Sequence, residues 1–134
     1  MRLCVKPKPL TENELSKIVV DVAYHLHYKL GPGLLESVYE EIMYHELRKK
    51  GLTVERQKSI PVKWDGILID LGFRADLIIE GKIILELKSV EMLAPVHSKQ
   101  LLTYLKVTGM KLGLLINFNE SLIKNGIFRI VNGL

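Results

Sequence analysis

Asp76, Glu86 and Lys88 are charges set into a stretch that otherwise reads as buried strand, F-R-A-D-L-I-I-E-G-K-I-I-L-E-L-K-S-V-E from Phe73 to Glu91. Partly burying an unpaired charge costs on the order of several kcal/mol, so such groups are expected to pair with one another or to coordinate a metal. An isolated Glu-x-Lys is more often a salt bridge on an edge strand, with Lys88 against Glu86 or a surface acid. The Asp on the preceding apolar run changes that balance. Two carboxylates supply hard oxygen ligands for Mg²⁺, with a cation beside them.

Their relative placement depends on a turn. The apolar runs Leu77-Ile78-Ile79 and Ile83-Ile84-Leu85 reverse at Glu80-Gly81-Lys82. A three-residue loop centred on Gly81 pairs Ile79 with Ile83 and sets Asp76 opposite Glu86, with Lys88 two residues on and on the same face. A two-residue loop would instead set Asp76 against Leu85 and put the two carboxylates on opposite faces of the sheet. Gly81 can supply the left-handed residue that the longer loop needs, and this register is preferred.

The elements that must hold this hairpin follow from periodicity and breakers. Residues 1–10, with Pro7 and Pro9 between lysines, predict an extended arm. Thr11 and Glu14 have capping-box spacing, and Leu15, Ile18, Val19, Val22 and Leu26 predict a helix that ends near Gly31. His25 and His27 stand two apart on it, on different faces, and are read as packing residues rather than a metal pair. Gly31-Pro32-Gly33 opens a second helix, about Leu34 to Lys50, with Val38, Tyr39, Ile42, Met43 and Leu47 on its apolar side. Glu36 lies three residues from Tyr39 and four from Glu40, and in a first turn its simplest role is as a partner for the helix dipole. Arg48-Lys49-Lys50 closes the helix as a solvated cap.

Strands are predicted over about Thr53 to Trp64, Ile67 to Ile79 with a bend at Gly72, and Ile83 to Val90, the first pair joined at Asp65-Gly66. A third helix, about Val96 to Thr108, carries Leu101, Leu102 and Leu105 on one side and His97, Gln100 and Tyr104 as a polar stripe on another. Gly109 ends it. Leu112 to Phe118 reads as a buried strand, and Phe128 to Val131 as a short final one.

Several of these runs together are recognisable. Asp76 with Glu86-Leu87-Lys88 resembles the D-x(n)-E-x-K signature of the PD-(D/E)XK nuclease superfamily. Gly33-Leu34-Leu35-Glu36-Ser37-Val38-Tyr39 matches the G-x-x-E-x-x-Y motif of the GxxExxY family, a branch of that superfamily. G-F-R-A-D-L, E-L-K-S-V-E, P-V-H-S-K-Q-L-L-T-Y-L-K and G-L-L-I-N-F also look like that family, and the resemblance runs from about Thr11 to Asn132. Ala75 stands where the superfamily's name expects Pro, a loosely kept position that carries no ligand.

The resemblance implies an α/β fold, restriction-endonuclease-like, with an αβββαβ core, a mixed central sheet flanked by helices, and an extra N-terminal helix. It implies a nuclease hydrolysing phosphodiester bonds with Mg²⁺ or Mn²⁺, nucleic acid as the partner, and DNA preferred to RNA. Asp76, Glu86 and the carbonyl of Leu87 would bind the metal, with Glu36 reaching it directly or through water, Tyr39 beside Glu36, and Lys88 next to the reacting water. Gln100-x-x-x-Tyr104 resembles the Q-x-x-x-Y motif of the exonuclease-like branch and would help order the site, with His97 a lesser candidate. Arg56, Lys58 and Arg74 are candidate contacts to the nucleic-acid backbone. A homodimer would allow cleavage of both strands. The alternative is a catalytically inactive module on the same fold that binds nucleic acid or protein.

Composition is compatible with these expectations. The 134 residues suit one domain, 48% hydrophobic and 25% charged. Nineteen basic against fifteen acidic residues leave +4, which permits a polyanionic partner. One cysteine, Cys4, excludes an internal disulfide framework and a cysteine-based zinc site. With no signal-like or transmembrane run, a cytoplasmic location is expected.

Overall fold

The computed structural model describes residues 8–134, and the first seven residues, with Cys4 and most of the expected N-terminal arm, lie outside them. The order is α1 (Glu12–Leu30), α2 (Glu36–Lys49), β1 (Val54–Trp64), β2 (Ile67–Ile79), β3 (Ile83–Lys88), α3 (Pro95–Thr108), β4 (Leu112–Asn117), a short 3-10 helix (Ile123–Gly126) and β5 (Ile127–Val131). From α2 to β4 this is the expected αβββαβ order, with α1 in front of it.

Local chemistry sets the ends of the helices. At the start of α1 the Thr11 hydroxyl accepts from the Glu14 amide at 3.2 Å, and the Glu14 carboxylate accepts from the Thr11 amide at 3.0 Å. Its far end is Gly31, at φ 69°. α2 starts two residues later than the sequence suggests. Leu34 is tied down before the helix because its amide donates to the Tyr39 hydroxyl one turn ahead. α3 stops at Gly109, which takes the left-handed conformation.

The five strands form one sheet in the order β1-β2-β3-β4-β5. β3 and β4 are parallel, joined through α3, and the other neighbours are antiparallel. β1 and β2 turn at Asp65-Gly66, with Trp64 opposite Ile67. Their register slips once. Ile60 faces Phe73 but Val62 faces Ile69, so Pro61 alone is set against the three residues 70–72, where the bend was expected. Pro61 has no amide hydrogen to give the ladder, which makes the slip inexpensive there. Between β2 and β3, Ile79 faces Ile83, Ile78 faces Ile84 and Leu77 faces Leu85: the three-residue loop. Glu80 and Gly81 both take positive φ in it, and the Lys82 amide closes onto the Ile79 carbonyl at 2.9 Å.

Both faces of the central strands are covered, while Trp64, Ile67 and Leu68 at the far end of the β1–β2 hairpin stay exposed. Leu77, Ile79, Ile83, Leu85 and Leu87 pack with Leu15, Val19, Met43 and Leu47 of α1 and α2. Ile78, Ile84 and Leu115 pack with Leu101 and Leu105 of α3 on the other. α3 lies close over β4, since a Cβ at Gly113 would come within 2.8 Å of Leu101. By the two-residue period of a strand, Glu86 shares the α3 face with Ile84.

Candidate functional site

Asp76 stands where the β2–β3 ladder stops. The last pair is Leu77 and Leu85, and extending the same register puts Asp76 opposite Glu86. The Asp76 side chain continues the connection in place of the backbone, its Oδ2 accepting from the Leu87 amide at 2.9 Å. From the other side the Gln57 side-chain nitrogen donates to Asp76 Oδ1 at 3.3 Å. Gln57 has φ 51°, and β1–β2 pairing passes over it, from Arg56 and Leu77 to Lys58 and Ala75. A non-glycine residue in the left-handed region costs about 1–2 kcal/mol. That strain sits at the carboxylate.

Glu86 is the electrostatic centre of the site. Its Oε1 is buried without a hydrogen-bond partner. Burial first, and the neighbouring Asp76 carboxylate second, push its carboxyl up to about 9, while the Lys88 ammonium draws it weakly down. A buried oxygen lacking a donor, beside a second carboxylate, is a place for a cation. Among the described residues no three His, Cys, Asp or Glu side chains converge. A metal here would therefore rest on two carboxylates and on oxygens from backbone or water. This donor set fits Mg²⁺ or Mn²⁺, which retain several waters or bind substrate oxygens.

Lys88 ends β3, half-buried, and makes no ion pair among the described residues. The chain beyond it is held from two sides. The Ser89 hydroxyl donates to the Leu34 carbonyl at 2.6 Å, fastening β3 to the loop before α2. Asn117, fully buried, donates to the Val90 carbonyl at 2.9 Å and accepts from the Val90 amide at 3.1 Å. Asn117 was passed over in the sequence, although an amide at the end of the apolar run Leu112–Ile116 was the available signal.

α3 brings part of its polar stripe to this face. Burial raises the Tyr104 hydroxyl pKa, the negative charges of Glu86 and Asp76 add to the rise, and a hydrogen bond with Gln100 opposes it. Tyr104 and Gln100 thus stand together, with Tyr104 near both carboxylates. The Tyr104 ring stacks on Phe73 at 3.5 Å between centroids. His97 has a different employment: its Nδ1 accepts from the Ala94 amide at 3.1 Å at the start of the helix.

α2 presents two acids. Glu36 is exposed, and its Oε2 lies 3.4 Å from the Ser89 amide, in a cleft of about 470 Å³ between the start of α2 with the turn before it and Ser89. It is not gathered with Asp76 and Glu86 into a group of three. Tyr39 does not bond Glu36; its hydroxyl donates to the Gly31 carbonyl at 2.6 Å, and its ring stacks on Phe118 at 4.3 Å. Glu40, one turn after Glu36, is buried and accepts from Arg56 at 2.8 Å and from the Gln57 side chain. Gln57 thereby bridges Glu40 and Asp76.

Arg56, expected on the nucleic-acid backbone, is instead engaged within the protein. It pairs with Glu40 and Glu41, whose hydrogen bonds raise its pKa, because α2 crosses β1 at this point. Lys58 is exposed and pairs with Glu55 at 3.0 Å, and Arg74 is exposed. His27 is buried, its Nε2 donating to the Glu120 carbonyl at 2.7 Å, while His25 is exposed. Among the described residues no helix is long and apolar enough to cross a membrane.

A family model described as the PD-(D/E)XK nuclease superfamily matches residues 13–130. No curated protein and no solved structure matches the chain. The match runs from the start of α1 into β5 and takes in Asp76, Glu86 and Lys88 on a mixed sheet between helices, so the chain belongs to the PD-(D/E)XK nuclease superfamily, with its restriction-endonuclease-like fold.

Proposed function

We propose that this chain, as a member of the GxxExxY branch, is a metal-dependent nuclease that hydrolyses phosphodiester bonds, with DNA preferred to RNA as substrate. The observation that carries the reading is the partnerless, buried Glu86 oxygen beside Asp76, an arrangement that a divalent cation would relieve. Asp76, Glu86 and the Leu87 carbonyl are the proposed ligands, with Glu36 reaching in through water from the neighbouring cleft. When bound, Mg²⁺ or Mn²⁺ polarises the phosphodiester and lowers the pKa of a water. Lys88 holds positive charge against the phosphoryl oxygens as charge develops on them, which is worth more in a partly buried site than in water. Gln100 and Tyr104 order the α3 side of the site and position the substrate phosphate. Exposed Arg74 and Lys58 are the proposed contacts to the backbone of the nucleic acid.

The test combines linkage with turnover. Thermal stability of the wild type should rise and saturate with Mg²⁺ or Mn²⁺, and Asp76→Ala and Glu86→Ala should abolish the rise. Cleavage of single- and double-stranded DNA and RNA should require the same metal and the same two residues. Metal-independent stability together with no cleavage of any of these substrates would reject the proposal.

A further inference from the structure

We infer that Gln57, itself fixed by Glu40, is a positioning residue that aims the Asp76 carboxylate for metal binding. The inference rests on the metal-dependent reading above and adds to it a residue that belongs to neither the hairpin signature nor the helix motif.

The argument begins with hydrogen-bond capacity. The Gln57 side-chain nitrogen contacts Glu40 Oε1 and Asp76 Oδ1. Ionised carboxylates only accept, and an amide nitrogen has two hydrogens to give, so one Gln57 amide satisfies both acids in one orientation. Glu40 is anchored: it is buried on α2, and its other oxygen takes the Arg56 hydrogen bond at 2.8 Å. Asp76 is then held at two points, Oδ1 from β1 through Gln57 and Oδ2 from β3 through the Leu87 amide. Each oxygen keeps a further lone pair that a metal could take. Ligands held this way bind metal more tightly than free ones, and removing such support usually costs about 10–100-fold in affinity.

The backbone points the same way. Gln57 adopts φ 51° where β1 would otherwise pair with β2. Glycine would accept that conformation more readily than glutamine. Backbone strain of this kind persists where surrounding contacts hold it and clusters at functional sites.

This permits a test that reads metal affinity separately from folding. Gln57→Gly in the full chain removes the amide and relieves the positive φ. Three quantities are compared with wild type: metal-free thermal stability, Mn²⁺ affinity by calorimetry, and the shift and hydrogen exchange of the Leu87 amide by NMR without metal. Mn²⁺ bound about 10–100-fold more weakly, with a Leu87 amide that shifts and exchanges faster at temperatures where the metal-free variant is fully folded, is the expected result. Glu40→Gln keeps an acceptor for Gln57, so a smaller change of the same sign is expected. Wild-type Mn²⁺ affinity and an unmoved Leu87 amide in Gln57→Gly would overturn the inference. If the wild type binds no Mn²⁺, the metal-dependent reading fails by itself, and the Leu87 amide then decides whether Gln57 positions Asp76.

Discussion

The Asp76 carboxylate replaces a backbone rung: its Oδ2 accepts from the Leu87 amide at 2.9 Å, one step beyond the last β2–β3 pair. A charged acceptor makes a stronger hydrogen bond than a carbonyl, and this one ties a proposed ligand to the residue between Glu86 and Lys88. Asp76→Ala should therefore do two separable things. Metal-induced stabilisation should disappear, and exchange of the Leu87 amide should accelerate without metal; calorimetry and NMR read the two.

Glu86 makes a prediction about pH. Its carboxyl is pushed up to about 9 in the metal-free protein. An unfolded Glu titrates at about 4.3, so between these values the native state holds a proton that the unfolded state has lost. The stability Glu86 contributes is complete below the unfolded value and is lost as pH climbs to the native one, with a slope of up to about 1.4 kcal/mol per pH unit. Glu86→Gln should flatten the metal-free stability profile over that window. Metal affinity should rise with pH across the same window in the wild type, with proton release on binding, and calorimetry in buffers of different ionisation enthalpy checks it.

Lys88 offers a charge rather than a ligand. Lys88→Ala should lower kcat by about 10²–10³, the usual cost of losing one electrostatic stabiliser. Metal-induced stabilisation should persist, because Asp76 and Glu86 remain. Single-turnover cleavage together with a metal titration separates the two effects.

Tyr39 holds the turn before α2. Its hydroxyl donates to the Gly31 carbonyl and accepts from the Leu34 amide at 3.2 Å, while its ring stays fully buried on Phe118. Tyr39→Phe keeps the stacking and loses both hydrogen bonds, so stability should fall by about 1–3 kcal/mol. Denaturant unfolding measures the change. Because Ser89 is fastened to Leu34, cleavage should weaken as well.

The local signals translated well into structure where they were self-contained. The Thr11 and Glu14 pairing formed as its spacing predicts, because both partners lie within one helical turn. The three-residue loop at Gly81 set Ile79 against Ile83, which depends on a few neighbouring residues and an alternation that places Ile and Leu on both covered faces. Signals read from one helix alone were less complete. Glu36 and Glu40 sit a turn apart on α2, and the motif singles out Glu36, yet Glu40 is the one joined to Asp76 through Gln57. Arg56 reads in the sequence as a candidate nucleic-acid contact because nothing local shows that α2 will cross β1 and bring it to Glu40 and Glu41.

The chain by itself therefore determined the element order, the β2–β3 register and the row of Asp76, Glu86 and Lys88, since these follow from periodicity, turn chemistry and the alternation of a strand. Tertiary structure decided what those residues meet: the missing partner of Glu86 Oε1, the Asn117 clamp on Val90, and the Gln57 bridge from α2 to Asp76. Each of these joins residues from separate elements. Hydrogen bonds and desolvation act at ångström distances, and only packing of the helices on the sheet sets those distances.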